Sequence, residues 1–207
     1  MKEALAPVHF WMYYKIQVMQ KLVELVTSLN ATNNWYAGDL KQEVTLEYGE
    51  VPIGDLKELI DLDNIHQWIE NYVDVVEGSL AFAITKILNE DSDYLNEIKH
   101  EFFDYGAKNF NIRGINVANN YEKLNSIILN GMPCDKAIEV TSSSFSRVEF
   151  KEVVNVHDKY WQAVSGDVKN YYELIIAFIN GIFSQGSSVI KKIDERTFEI
   201  VKEPKSE

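Results

Sequence analysis

Between residues 171 and 183 the chain carries apolar side chains around most of the circumference of one helix. Two stripes supply them: Tyr171, Leu174, Ile175, Phe178 and Ile182, and Tyr172, Ile176, Ile179 and Phe183. A helix that is apolar on more than one side is buried on more than one side. We therefore expect a helix over about 168–183 with one side on a sheet. Its other side then meets the N-terminal helices, a bound apolar ligand or a second subunit, and core packing alone is the simplest of these explanations.

The segments around this helix alternate like strands, whereas the first part of the chain has helical periodicity. Strands are expected over 137–141, 147–156, 188–193 and 197–202, and helices over 7–29, 55–60, 64–88, 94–106 (ending at Gly106) and from about Asn119 to a stop at Gly131 and Pro133. This order predicts an α+β fold, in which an N-terminal helical layer packs on a C-terminal antiparallel sheet of strand–strand–helix–strand–strand order.

The length of 207 residues suits one domain. We expect a single domain over 1–207, mainly helical over 1–132 and α+β over 133–203. Residues 35–53 leave two readings open. Val44, Leu46 and Tyr48 alternate like a strand, but Asp39 to Glu43 suit a helix.

The net charge of −12 argues against nucleic acid and anionic membrane surfaces as partners, because both reward lysine and arginine. Residues 38–104 hold 17 acidic and 4 basic side chains, a net of −13, so the acidity belongs to the middle helices. Glu70, Asp74 and Glu77 share one helix face. That face is expected to be a solvated outer surface, a docking surface for a basic partner or a cation site.

Cys134 is the single cysteine, so no intrachain disulfide can form, which favours a reducing cytoplasmic location. No apolar run approaches the roughly 18 residues of a membrane-spanning helix. A nucleophilic role for Cys134 needs a cationic setting, and the neighbouring Asp135 opposes it.

Glu97 and His100 have the Glu-x-x-His spacing that places a carboxylate and an imidazole on one helix face, as in carboxylate-bridged metal sites. Such a site needs two pairs of this kind, and the sequence offers one. We therefore predict no metal site and no cofactor, with Glu97 and His100 as weak candidates only.

Five side chains are the candidate ligand-binding residues of an apolar pocket: His157, Tyr160, Trp161, Tyr171 and Phe178. His157 is the best functional candidate among the four histidines, because it lies beside two aromatic residues just after a predicted strand. The alternative is a hydrogen-bonded structural histidine. No catalytic residue is nominated.

The C-terminal third resembles a known superfamily through the stretches DKAIEVTSSSFSRVEF (from Asp135) and NYYELIIAFINGIFSQGSSVIKKIDERTFEIV. This superfamily unites haem-nitric-oxide-binding domains, vinyl-reductase-like small-molecule-binding domains and Golgi-transport subunits. The helices before it, through EIKHEFFDYGAKNF, are similar in order and spacing. The resemblance implies a scaffold that buries a ligand between helices and sheet, or pairs with another copy.

The chain departs from that pattern at three places. Ser143 to Arg147 keeps only the arginine of the Tyr-x-Ser-x-Arg haem signature. Asn120 to Leu124 has no histidine where the proximal haem ligand would lie, so a haem site of this type is not expected. The closing hairpins also lack the cysteines that can hold a metal in vinyl-reductase-like members.

The sequence supports one leading function and two alternatives. The leading prediction is a non-enzymatic, cytoplasmic small-molecule-binding or sensory domain with an apolar ligand. The first alternative is a scaffold that self-associates as a homodimer or binds a basic protein partner. The second is a small metal-dependent or hydrolytic enzyme.

Overall fold

A computed structural model describes residues 4–203 and confirms the α+β class, with helices first and one four-stranded antiparallel sheet. The elements are α1 (Pro7–Asn33), α2 (Leu40–Tyr48), α3 (Leu56–Leu59), α4 (Ile65–Glu90), α5 (Tyr94–Asn109), α6 (Val117–Asn125), β1 (Ile138–Ser143), β2 (Arg147–Glu152), α7 (Asp158–Ala163), α8 (Val168–Phe183), β3 (Ser188–Lys192) and β4 (Thr197–Lys202). No helix within residues 4–203 combines the length and the apolar character that crossing a membrane requires.

The chain divides into two compact units that interleave along the sequence. The helical unit comprises Met1–Tyr94, Ile127–Met132 and His157–Asp167, and the sheet unit comprises Leu95–Ser126, Pro133–Val156 and Val168–Glu207. The expectation of one domain over 1–207 stays a prediction.

In the helical unit, α1 lies along α4, and α2 packs against both. Gly78 of α4 allows a close approach of α2, since a Cβ at this position would lie 2.3 Å from a ring carbon of Tyr48. Helix α7 also packs against α4, so α4 is the central element of this unit.

In the sheet unit the strand order is β1-β2-β4-β3, and every neighbouring pair is antiparallel. Helix α8 packs against β3. On another side it meets α5 at two glycines. A Cβ on Gly181 would lie 2.0 Å from the carbonyl oxygen of Phe103, and one on Gly106 would lie 2.3 Å from that of Phe178. The sheet and α5 together therefore cover α8 on two sides, as its apolar circumference predicts.

Several element boundaries differ from the sequence-based expectations. Residues 40–48 form a helix because Asp39 caps it, accepting a hydrogen bond from the Gln42 amide. Helix α5 continues past Gly106 to Asn109, since this glycine serves the contact with α8 instead of a helix end. Helix α6 starts after the cap Asn116 and ends at Asn125, and β2 ends at Glu152. Helix α7 has no counterpart among the expected elements.

Candidate functional site

The helical unit contains a cavity of about 230 Å³ that opens to solvent. Four segments line it: α1 through Gln20, Val23, Glu24 and Thr27, α2 through Lys41, Val44 and Thr45, the following loop through Gly49, Glu50, Val51 and Ile53, and α4 through Ser79. The volume lies just below the range of pockets for drug-sized ligands, which indicates a smaller ligand.

Hydrogen bonds from α1 hold the loop that forms one wall of the cavity. The Tyr13 hydroxyl and the Gln17 amide both donate to the Pro52 carbonyl, at 2.7 Å and 3.1 Å. Gly49 ends α2 with a φ of +82°, and its amide donates to the Thr45 carbonyl at 2.9 Å. Because a side chain is strained at such a φ, glycine suits this turn. The wall is thus fixed at both of its ends.

The floor of the cavity is apolar apart from two hydroxyls. Val23, Val44 and Val51 are buried, as is Thr27, whose hydroxyl donates to the Glu24 carbonyl. Ser79, which is 1% exposed, also lines the cavity. The hydroxyl groups of Thr27 and Ser79 are therefore the polar groups among the buried lining residues.

The rim of the cavity carries charge of both signs. The Glu50 carboxylate accepts a hydrogen bond from the Thr45 hydroxyl at 3.3 Å. Glu24 is paired with Lys21 at 2.7 Å, whereas Lys41 makes no ion pair with any other residue of the described 4–203 stretch. An uncompensated ammonium and a carboxylate with free lone pairs therefore flank an apolar floor.

A second polar cluster joins α7 to α4. The His157 Nδ1 lies 3.0 Å from the Glu77 Oε2, and both side chains are only 2% exposed. Asp74, one turn earlier on α4, accepts hydrogen bonds from the Tyr160 hydroxyl and from the Lys159 ammonium at 3.1 Å. The cluster fixes the start of α7 on α4.

Burial, with the hydrogen bond to Asp74 as the next cause, raises the pKa of Tyr160 well above its ordinary value of 10. The negative charges of Glu77 and Glu70 act in the same direction. Tyr160 therefore remains a neutral hydrogen-bond donor at physiological pH.

The contacts of this cluster show that the acidic face of Glu70, Asp74 and Glu77 on α4 is not wholly a solvated outer surface. A solvated outer surface is wrong for Glu77, which is buried against His157. Asp74 is bound within the unit by Lys159 and Tyr160, so this part of the face is already partnered. The spacing of four and three residues identified the face, but it could not show which side of α4 is covered by α7.

Three buried polar atoms of this region have no partner within residues 4–203: Glu77 Oε1, Thr85 Oγ1 and Trp161 Nε1. Gly166 packs against Thr85 and Trp161, since a Cβ on this glycine would be 2.3 Å from Thr85 Oγ1 and 3.1 Å from the Trp161 ring. The structure thus leaves no room for a side chain at residue 166 unless Thr85 moves.

The five predicted ligand-binding residues fall in both units. His157, Tyr160 and Trp161 belong to the helical unit, whereas Tyr171 and Phe178 lie on α8 of the sheet unit. Trp161, Tyr171 and Phe178 are buried, and the Phe178 ring lies edge-on to that of Phe110 at 5.5 Å. The alternative prediction for His157, a hydrogen-bonded structural histidine, agrees with its contact with Glu77. A shared role of the five in ligand binding stays a prediction.

The weak metal candidates lie on the surface of α5. Glu97 is exposed, and His100 Nε2 lies 3.6 Å from Asp104, also at an exposed position. Within the described residues no three histidine, cysteine, aspartate or glutamate side chains form a group suited to a metal ion. Cys134 is exposed in the short turn Pro133–Asp135.

Sequence reasoning missed the cavity and the Glu77 contact. The lining residues come from segments far apart in the chain and include no recognisable motif, so only tertiary structure assembles them. Asp39 before α2 and Gly49 after it were the available signals, because they mark a short helix that ends in a tight turn.

Comparison with known proteins yields no relative, since no family model, no curated protein and no solved structure matches the chain.

Proposed function

We propose that the protein is a non-enzymatic small-molecule-binding domain whose ligand occupies the cavity between α1, α2, the 49–53 loop and α4. One observation carries this proposal. The cavity combines a buried floor of three valines, Thr27 and Ser79 with charged side chains at its rim. Small-molecule sites likewise join apolar surface to a few polar groups that orient the ligand.

The arrangement suits binding better than catalysis. The charged groups Glu24, Lys41 and Glu50 lie at the rim, and Lys41 and Glu50 are exposed to solvent. Acid–base chemistry profits from charged groups held in a site closed to water. Charges at an open rim instead recognise a ligand that enters.

A cavity-filling variant tests the proposal. Thr45→Phe places an aromatic ring at the cavity wall, and Thr32→Phe makes the same change at an exposed position of α1 outside the cavity. Each variant and the wild type are screened by ligand-observed NMR against a panel of small amino acids, amines, carboxylic acids and alcohols. We expect compounds that bind the wild type and the Thr32→Phe variant but lose binding to Thr45→Phe.

Two outcomes would contradict the proposal. One is that no compound of the panel binds at millimolar concentration, although the protein is folded by circular dichroism. The other is that compounds bind Thr45→Phe as well as they bind the wild type, because the ligand site then lies elsewhere.

A further inference from the structure

We infer that the ligand of this cavity is a free aliphatic amino acid, or a close analogue that carries one carboxylate and one ammonium on a short apolar chain. The inference rests on the proposed function and specifies its ligand class. Three properties of the cavity carry it: the paired signs of the rim charges, the apolar floor and the volume.

The rim offers one free group of each sign. Lys41 lies on α2 without a carboxylate partner in residues 4–203, and Glu50 lies on the loop with the Thr45 hydroxyl as its hydrogen-bond donor. Glu24 is already paired with Lys21. Because both groups are exposed to water, a ligand with a single charge gains an ion pair with only one of them. A zwitterion gains both, with its carboxylate at Lys41 and its ammonium at Glu50.

The buried valines of the floor favour an aliphatic chain in the uncharged part of the ligand. Val23, Val44 and Val51 present buried aliphatic surface. Each methylene that a ligand buries there strengthens binding by roughly fourfold. A branched aliphatic chain therefore binds more tightly than a hydrogen or a methyl group at the same position.

The volume limits the size of the ligand. A cavity of about 230 Å³ holds the liquid volume of about eight water molecules, at roughly 30 Å³ each. A molecule of similar heavy-atom number, such as leucine, fits this space. A fatty acid or a folded peptide does not.

Calorimetric titrations with four matched compounds test the inference: L-leucine, 3-methylbutylamine without the carboxylate, 4-methylpentanoate without the ammonium, and uncharged 3-methylbutanol. We expect L-leucine to bind most tightly. Each single-charge compound should bind about two- to fivefold more weakly, the size expected for a solvent-exposed ion pair.

Charge-neutral variants assign the two contacts. Lys41→Gln should weaken the binding of L-leucine and 4-methylpentanoate but leave the binding of 3-methylbutylamine unchanged. Glu50→Gln should weaken the binding of L-leucine and 3-methylbutylamine but leave the binding of 4-methylpentanoate unchanged. Lys57→Gln and Glu58→Gln, at exposed positions of α3 outside the cavity, are the matched controls and should leave all affinities unchanged.

The outcomes separate this inference from the proposed function. If 3-methylbutanol binds as tightly as L-leucine and Thr45→Phe abolishes its binding, the cavity is a ligand site but the amino-acid class is wrong. Equal binding of L-leucine to the wild type and to both charge-neutral variants also overturns the class. If none of the four compounds binds while other members of the NMR panel depend on the cavity, the class fails and the binding function stands.

Discussion

Lys15 provides a quantitative test of how the helical unit is packed. This lysine lies on α1 and is 4% exposed, with its ammonium 3.9 Å from the centre of the Trp11 ring. No carboxylate within residues 4–203 pairs with it. Burial lowers the pKa of Lys15 from 10.5 to about 8, because the charged form loses its hydration.

The sign of the pH dependence follows from the two states. The unfolded chain keeps the Lys15 proton up to about pH 10.5, whereas the folded protein releases it near pH 8. Between these values the unfolded state binds more protons, so this residue's contribution to the free energy of unfolding rises with pH. The gap between 10.5 and about 8 corresponds to roughly 3 kcal/mol that the buried charge costs the folded state at pH 7.

Replacing Lys15 by methionine removes this cost and keeps a linear side chain of similar size. The substitution also removes the contact of the ammonium with the Trp11 ring, which offsets about 1 kcal/mol of this gain in stability. We therefore expect Lys15→Met to raise the free energy of unfolding by about 2 kcal/mol at pH 7. That gain should fall below about 1 kcal/mol by pH 10, where the wild-type lysine is neutral when folded.

Urea denaturation of the wild type and the variant at pH 6.5 to 10 measures both quantities. The control is Lys57→Met, an exposed position of α3, where a change within about 0.5 kcal/mol is expected at every pH. A destabilised Lys15→Met variant at pH 7 would show that the buried charge does not cost the folded state free energy. So would a difference from the wild type that does not vary with pH, because the buried charge would then not be its cause.

Three further substitutions have defined outcomes in urea denaturation at pH 7. Gly181→Ala would place a Cβ 2.0 Å from the Phe103 carbonyl oxygen, so a loss of about 3 kcal/mol is expected, and a neutral effect would contradict the α5–α8 contact. In Gly49→Ala the new Cβ would meet no neighbouring atom, but the residue has a φ of +82°, so a loss of about 1 kcal/mol in the free energy of unfolding is expected. A stabilised variant would argue against this turn. Glu77→Leu removes the carboxylate from His157 and should cost about 3 kcal/mol, more than Glu77→Gln, and equal effects would show that the charge is unimportant.

The strongest patterns in the sequence predicted the C-terminal elements well. Helix α8 spans Val168–Phe183, as its two apolar stripes require, and β3 and β4 lie where alternation placed them. These elements are covered by other parts of the sheet unit, so their hydrophobic pattern reports directly on structure.

Local patterns were less reliable where burial was incomplete. Val44, Leu46 and Tyr48 alternate in sequence, yet Leu46 is 79% exposed while Val44 is buried, because the segment is a helix. Gly106 was expected to end α5, but its missing side chain serves a contact with α8 that is remote in sequence. A glycine in a helical pattern does not by itself distinguish these roles.

The candidate site could be predicted least. His157 was identified as a candidate, but its partner Glu77 lies 80 residues earlier and looked like a surface acid. Ser79 and Thr45 carry no motif at all. Their significance comes from the cavity that α1, α2 and α4 enclose, which is a property of the packed unit.

Methyl NMR of valine-labelled protein tests the proposed site most directly. During titration with the compound of the panel that binds most tightly, we expect chemical-shift changes at the methyl groups of Val23, Val44 and Val51, which line the cavity. The methyl groups of Val148 and Val201 on the sheet should remain unchanged. Shifts confined to the sheet valines, or none at a saturating concentration, would contradict a ligand site in the helical unit.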